Sequence, residues 1–152
     1  MEQINVVKRG GRGKEPLNIE KIHEMVEYAC EDVSGVSSSQ VEMTSGLQFT
    51  DGITTNDIQQ ILIKSAADLI SLDSPNYQYV AARLLLFQVR KSVFNTKWKD
   101  SKIYPPLKDI VVRNINYGVY DDHLVNYYSD EEWEKLDSFM KHDRDLLFTY
   151  AG

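Results

Sequence analysis

Four cations fall within seven positions near the amino terminus, Lys8, Arg9, Arg12 and Lys14, interleaved with Gly10, Gly11 and Gly13. Such side chains around a glycine-rich turn suit a polyanion: they supply charge-assisted hydrogen bonds while the turn lets backbone amides come close. Glu2 and Glu15 are the acids of the first fifteen residues, so this stretch carries +2 while the whole chain carries −6. Asn18 then offers a helix cap, which sets the free amides of a helix N-terminus beside the basic turn and adds a second attraction for phosphate. The plainer reading is a solvated hairpin tip whose charges keep it soluble.

Other chemistries are excluded by spacing. A Walker A loop needs Gly, four residues, then Gly-Lys and Ser or Thr. Here Gly13-Lys14 is followed by Glu15, and Lys8 stands where the first glycine belongs. There is no GxGxxG dinucleotide fingerprint. His23, His123 and His142 are scattered without a second ligand at helical spacing, and the single Cys30 can form neither an internal disulfide nor a thiolate pair for zinc. No residue pattern reads as catalytic.

With 152 residues, 42% hydrophobic and 26% charged, the chain can build one core, or one core with an appendage. No run approaches the roughly 18 apolar residues of a membrane span, and MEQINVVKRGG lacks a signal-peptide core, so a cytoplasmic protein without a membrane partner is expected. A pI near 5.0 argues against an extended nucleic-acid interface.

The elements that must position the basic turn follow from periodicity. Ile4, Val6 and Val7, then Pro16 and Leu17, predict a short hairpin turning at Gly10, Gly11, Arg12 and Gly13. The row Ile22, Met25, Val26, Ala29 predicts a helix over 19–31 capped by Asn18. Ser37 to Ser39 cap a second helix carrying Val41, Leu47 and Phe49. After a turn at Asp51-Gly52, Thr54 or Thr55 caps a third with the stripe Ile58, Ile61, Leu62, Ala66, Leu69, ending near Leu72. A fourth opens at Ser74-Pro75 and buries Tyr79, Val80, Leu84, Leu85, Leu86 and Phe87 on more than one side, as the central helix of a small bundle would. NTKWKDSKIYPP, residues 95–106, reads as a linker. Leu107, Ile110, Val111 and Ile115 predict a helix ended by Gly118, a short segment covers 122–127, and Ser129 with Glu132 forms a capping box for a helix through about His142. From Asp121 to Asp145 nine acids face three Lys or Arg, the pattern of a solvated face. The apolar run Leu146 to Tyr150 reads as an unfinished element, so the chain is expected to be a fragment.

The order VVKR, KEPLN, EKIH, DGITTNDIQQILIKSAADLI and SPNYQYVAARLLLFQVRK resembles the ATP-cone at the amino terminus of the large (alpha) subunit of class I, class Ia-like, ribonucleoside-diphosphate reductases. The likeness continues through YPPL, GVYDDHL and DEEWEKLDSFMKHDRDLLFTYA, spans nearly the whole chain, and is strongest to the phage and enterobacterial branch. It implies a mainly α fold: an N-terminal β-hairpin lid on a four-helix ATP-cone (1–94), a linker (95–106), and the truncated start of the helical N-terminal part of the catalytic subunit (107–152). It implies ATP or dATP as an allosteric effector with Mg2+, bound and not hydrolysed, and no structural metal. Carried over by position, Val6, Lys8, Arg9, Glu15, Asn18, Lys21 and Ile22 line one wall, and Thr55, Ile58, Phe87 and Lys91 the other. Lys8, Arg9, Lys21, Lys91 and the Thr55 hydroxyl would hold the triphosphate; Glu15 and Asn18 would read the base or sugar edge; Ile22, Ile58 and Phe87 would pack on the base. On this reading the cations and Glu15 have no structural need for one another.

The family's catalytic cysteines lie outside these residues, so the resemblance implies no reaction by this chain alone. It implies a part in controlling reduction of ribonucleotides to deoxyribonucleotides for DNA synthesis. The implied partners are the remainder of the large subunit, a large-subunit homodimer and the small radical-generating subunit, with no nucleic acid. Gln59 and Gln88, on the second wall, stand where bacterial members carry histidines that help turn nucleotide identity into activity, which removes the warrant for inhibition by dATP. Gly10 replaces a common aspartate, and Lys97, Lys99 and Lys102 extend the linker. Two alternatives stay open: a degenerate cone acting only in subunit assembly, and a free-standing nucleotide-sensing regulator.

Overall fold

The computed structural model describes residues 4–8, 10, 13–96 and 104–152. The chain is mostly helical with one small sheet. It divides into two compact units, Met1–Val89 with Asp145–Gly152, and Arg90–Arg144.

In the first unit the sheet runs in the order β2-β1-β3, with β1 at Asn5–Val7, β2 at Lys14–Pro16 and β3 at Ile53–Thr54. β1 and β2 form the expected antiparallel hairpin, in register Val6 to Glu15 and Val7 to Lys14. The third strand was not legible: β1 pairs with β3 in parallel, Val6 to Ile53 and Val7 to Thr54. Val6 and Ile53 are both buried, which is what ties the hairpin to the core. Asp51 adds a clasp, its Oδ1 accepting from the Asn5 backbone N–H at 2.8 Å and from Asn5 Nδ2 at 2.9 Å. The Gly52 amide returns a bond to the Asn5 carbonyl at 2.9 Å.

Four helices follow the expected pattern with shifted ends. α1, Ile19–Cys30, buries Met25, Val26 and Ala29, and Asn18 caps it by accepting from the Lys21 amide. α2, Ser38–Gly46, is capped by Ser37 and buries Val41. Leu47 falls on its C-cap and is 86% exposed, so it does not join the apolar face expected of it. α3, Thr55–Asp68, is capped by Thr54 and buries Ile58, Leu62, Ile63 and Ala66. It stops at its C-cap Leu69, short of Leu72, whose side chain is fully in solvent. α4 begins at Tyr77, after a turn in which the Pro75 carbonyl accepts from Gln78. It runs to Phe94, crossing the division between the units. Tyr77, Val80, Ala81, Leu84 and Phe87 bury one broad face and Ala82 is buried away from it, so α4 is covered on more than one side, although Leu85 is exposed.

Hydrogen bonds tie α4 to its neighbours. Tyr77 Oη meets the Ser37 amide and Gln40 Oε1, both at 3.0 Å. Arg83 donates to the carbonyls of Ala29 and Glu31 at the end of α1, satisfying acceptors that a helix C-terminus leaves open.

In the second unit α5, Leu107–Asn116, packs against α6, Asp130–Ser138, and a 3-10 segment occupies Asp122–Asn126. Asp137 Oδ1 accepts from the first amide of α5 at 2.9 Å. The capping box of Ser129 and Glu132 is formed, but α6 ends at Ser138, four residues before the expected His142. Buried Trp133 donates to the Val125 carbonyl at 3.3 Å. His142 stacks on Tyr104 at 3.8 Å, and Arg90 Nε donates to the Tyr104 hydroxyl at 3.0 Å. The expected linker residues 97–103 lie outside the described residues.

Candidate functional site

Side-chain contacts set both α1 and α3 against α4. On α1, Tyr28 packs on Phe87 with ring centroids 5.6 Å apart, while Ala29 and Glu31, further along, reach back to Arg83. On α3, Gln88 Nε2 donates to Asn56 Oδ1 at 3.0 Å, while Gln59 Nε2 donates to the Leu84 carbonyl at 2.8 Å. In each pair the α4 partner moves backward as the other helix moves forward. The N-terminus of α3 therefore lies beside Gln88 of α4, and the C-terminal end of α1 lies beside Arg83 and Phe87. Parallel pairing of β1 with β3, which leads directly into α3, sets the hairpin strand beside the start of α3.

The N-termini of α1 and α3 present partial positive charge, and each carries a carboxylate in its first turn, Glu20 and Asp57. Lys21 lies exposed in the first turn of α1, Thr55 opens α3, and Lys8 follows β1. Lys8 is not free: its Nζ lies 2.6 Å from Glu15 Oε2, both side chains about half exposed. The expectation that the cations and Glu15 have no need of one another is thus corrected, because the hairpin register puts them on one face. Asn18 holds the Lys21 amide with its side-chain oxygen, so that atom caps α1.

The apolar candidates belong to the core: Val6, Ile58 and Phe87 are 4%, 7% and 3% exposed, and Ile22 is half-buried. Gln59 and Gln88 are committed to helix packing. Besides its bond to Asn56, Gln88 accepts from Gln60 Nε2 at 2.9 Å, so the two glutamines pin α3 to α4. Lys91 is exposed on α4 beyond Val89, where the second unit begins. Arg9 lies outside the described residues.

Two contributors were missed in the sequence. Asn56 orients Gln88, and Asp51 fastens β1 from 46 positions away. Neither has a local signal, since Asp51 reads only as a turn residue before Gly52. The Asn5 bonds, backbone first and side chain second, lower the Asp51 carboxyl below its ordinary 3.8. Among the described residues, the cluster close enough to hold a metal ion is the exposed Asp121-Asp122-His123, in the second unit.

Residues 4–92 match the ATP cone domain family. The chain is 47% identical over 152 residues to ribonucleoside-diphosphate reductase 1 subunit alpha of Salmonella typhimurium strain LT2, covering 99% of this chain and 19% of that protein. Its Escherichia coli K12 counterpart is 46% identical over 152 residues, with the same coverage. The subunit alpha of Enterobacteria phage T4 is 40% identical over 154 residues, covering all of this chain and 19% of its own length. The chain thus spans about a fifth of the length of these relatives and matches their N-terminal region. Through residues 4–92, it belongs to the ATP-cone domain family.

Proposed function

We propose that this chain is the N-terminal regulatory part of a class I ribonucleotide reductase large subunit, and that its cone binds ATP or dATP as an allosteric effector. The observation that carries this reading is the match of residues 4–92 to the ATP cone domain family, supported by the parallel pairing that sets the basic hairpin strand beside the start of α3. In this reading α1 to α4 are the four-helix cone and β1-β2 its lid. Residues 1–94 form the allosteric domain, 95–106 a linker, and 107–152 the beginning of the catalytic subunit's helical part. Lys8, Arg9, Lys21, Lys91 and Thr55 hold phosphates, Glu15 and Asn18 read the base or sugar, and Ile22, Ile58 and Phe87 close the apolar side. Mg2+ would accompany the triphosphate and offset part of its charge.

The working assembly is cytoplasmic: the rest of the large subunit, its homodimer and the small radical-generating subunit. Nucleotide occupancy there shifts subunit arrangement through a coupling free energy of about 1–3 kcal/mol. Calorimetry with ATP and dATP tests the site: micromolar to sub-millimolar binding is expected, and none at millimolar nucleotide by folded protein would sink the assignment. Lys8→Ala and Lys91→Ala should each weaken ATP binding, by about 10-fold if one charge-assisted phosphate bond is lost, with little change in melting temperature. Equal affinity would mean that the phosphates lie elsewhere.

A second reading is a cone kept only for assembly. It is favoured by Gln59 and Gln88, whose amides are spent on α3 to α4 packing. It requires that dATP leave the oligomeric state of the complete large and small subunits unchanged.

A further inference from the structure

Lys91 belongs to the last turn of α4, which ends at Phe94. The last four carbonyls of a helix lack partners within it, and such a turn frays unless its surroundings hold it. Here the surroundings do. Asn95 closes the helix in the left-handed conformation, with φ at 56°, and its amide donates to the Lys91 carbonyl at 3.1 Å. Thr96 Oγ1 donates to the Arg90 carbonyl at 3.4 Å. Arg113 of α5 donates from Nη1 to the Val93 carbonyl at 3.1 Å, and its guanidinium stands 5.1 Å from the centre of the Phe94 ring. Tyr104 meets the Phe94 ring edge to face at 5.4 Å and accepts from Arg90 Nε at 3.0 Å. Arg90, Val93 and Phe94 are thus gripped, while Lys91, between them in sequence, stays exposed.

We propose that Arg113 and Tyr104 are positioning residues for the effector: they order the last turn of α4, so that Lys91 meets the phosphates from a turn already in place. The inference rests on the nucleotide-site reading above and adds that effector affinity is set in part from α5.

Two observations favour this role over plain packing. Arg113 buries its Nε with no hydrogen-bond partner among the described residues, a cost that an apolar side chain of similar length would avoid. What the guanidinium supplies instead is a cation at a helix C-terminus, where it complements the dipole and takes an open carbonyl. The grip also falls on the residues that flank Lys91 and leaves its side chain in solvent. A frayed turn would have to be ordered by the ligand, which weakens binding; a turn ordered beforehand removes that cost.

The test is calorimetry of the 152-residue chain with ATP, and amide exchange of the same samples without it. The variants are Arg113→Met, Arg113→Lys and Tyr104→Phe, each alone and combined with Lys91→Ala. Without nucleotide, Arg113→Met should speed exchange of the Phe94 and Asn95 amides while the α3 amides stay protected. Its ATP affinity should fall about 2- to 10-fold, the range that ordering one long side chain costs on binding, and Arg113→Lys should recover most of the loss. In the Lys91→Ala background Arg113→Met should weaken ATP no further, an outcome that general destabilisation does not produce. Unchanged ATP affinity in Arg113→Met, or an equal loss with and without Lys91, overturns the positioning role and leaves the nucleotide site standing. Should Arg113→Met fail to fold, Tyr104→Phe, which removes a single hydroxyl, decides by the same comparison. Lys91→Ala that binds ATP as tightly as wild type takes Lys91 out of the site, and the proposal falls with it. No ATP binding by folded wild type overturns the site reading itself and the positioning role together.

Discussion

His23 places both ring nitrogens against carboxylates, Nδ1 2.9 Å from Glu42 of α2 and Nε2 3.3 Å from Glu27 one turn along α1. Only the imidazolium donates from both. The hydrogen bond that His23 donates to Glu42, then the charge of Glu42, raises His23 above its ordinary 6.5, with Glu27 and Glu24 adding to the effect. The folded state therefore holds this proton more tightly than the unfolded chain does. The resulting stability is fully present below about pH 6.5 and is lost as pH rises through the higher folded value. His23→Gln should flatten this part of the melting-temperature profile between pH ~6 and ~8. An unchanged profile in the variant would assign the pH dependence to other groups. The sequence could not disclose the pairing, because one partner comes from another helix. Cys30 was legible: burial pushes its thiol up to about 11, as fits a small, unreactive packing residue. Asn18 was legible too, since a cap acts on the amide three positions on.

At the level of elements, the capped helix starts were readable, and so were the ends of α1 and α5. By contrast, α4 starts at Tyr77 after the expected Ser74-Pro75, and α3 and α6 end early. Starts carry side-chain signals, Ser37, Thr54 and Ser129 each accepting from an amide in the first turn, and these fall where expected. Ends depend on where solvent and neighbouring chain stop supporting the last turn, which Leu72 and His142 could not reveal. β3 has two residues, too short for any alternation, and exists because Ile53 packs beside Val6. Its anchor can be tested through Asp51. Asp51→Ala removes both bonds to Asn5 and should speed amide exchange in β1 by about tenfold or more while the cores of α3 and α4 keep their protection. Exchange unchanged in β1 would show that strand pairing alone holds it. Because the Asp51 carboxyl is lowered, its contribution is present above about pH 3.8 and disappears as pH falls through the lower folded value.

For the whole molecule, charge was the clearest message of the sequence: a +2 amino-terminal stretch in a chain of −6 marks the place where the anion site is proposed. Less legible was the division at Val89, which falls inside α4, and the grouping of residues 145–152 with the first unit. A continuous helix has no change of composition at such a point. The parallel pairing of β1 with β3 also sets an order in time. The strand carrying Lys8 belongs to the first residues of the chain, yet its partner comes only at Ile53, after α1 and α2. Closing a loop of that length costs entropy before any contact repays it, so the helices are expected to gain protection first. Pulsed hydrogen exchange during refolding should find the α3 and α4 amides protected before those of Val6 and Val7; simultaneous protection would mean that sheet and helices form in one step. In that sequence of events the strand carrying Lys8 is the last part assembled, so the proposed effector would not template its receptor but would bind only a chain that has finished folding.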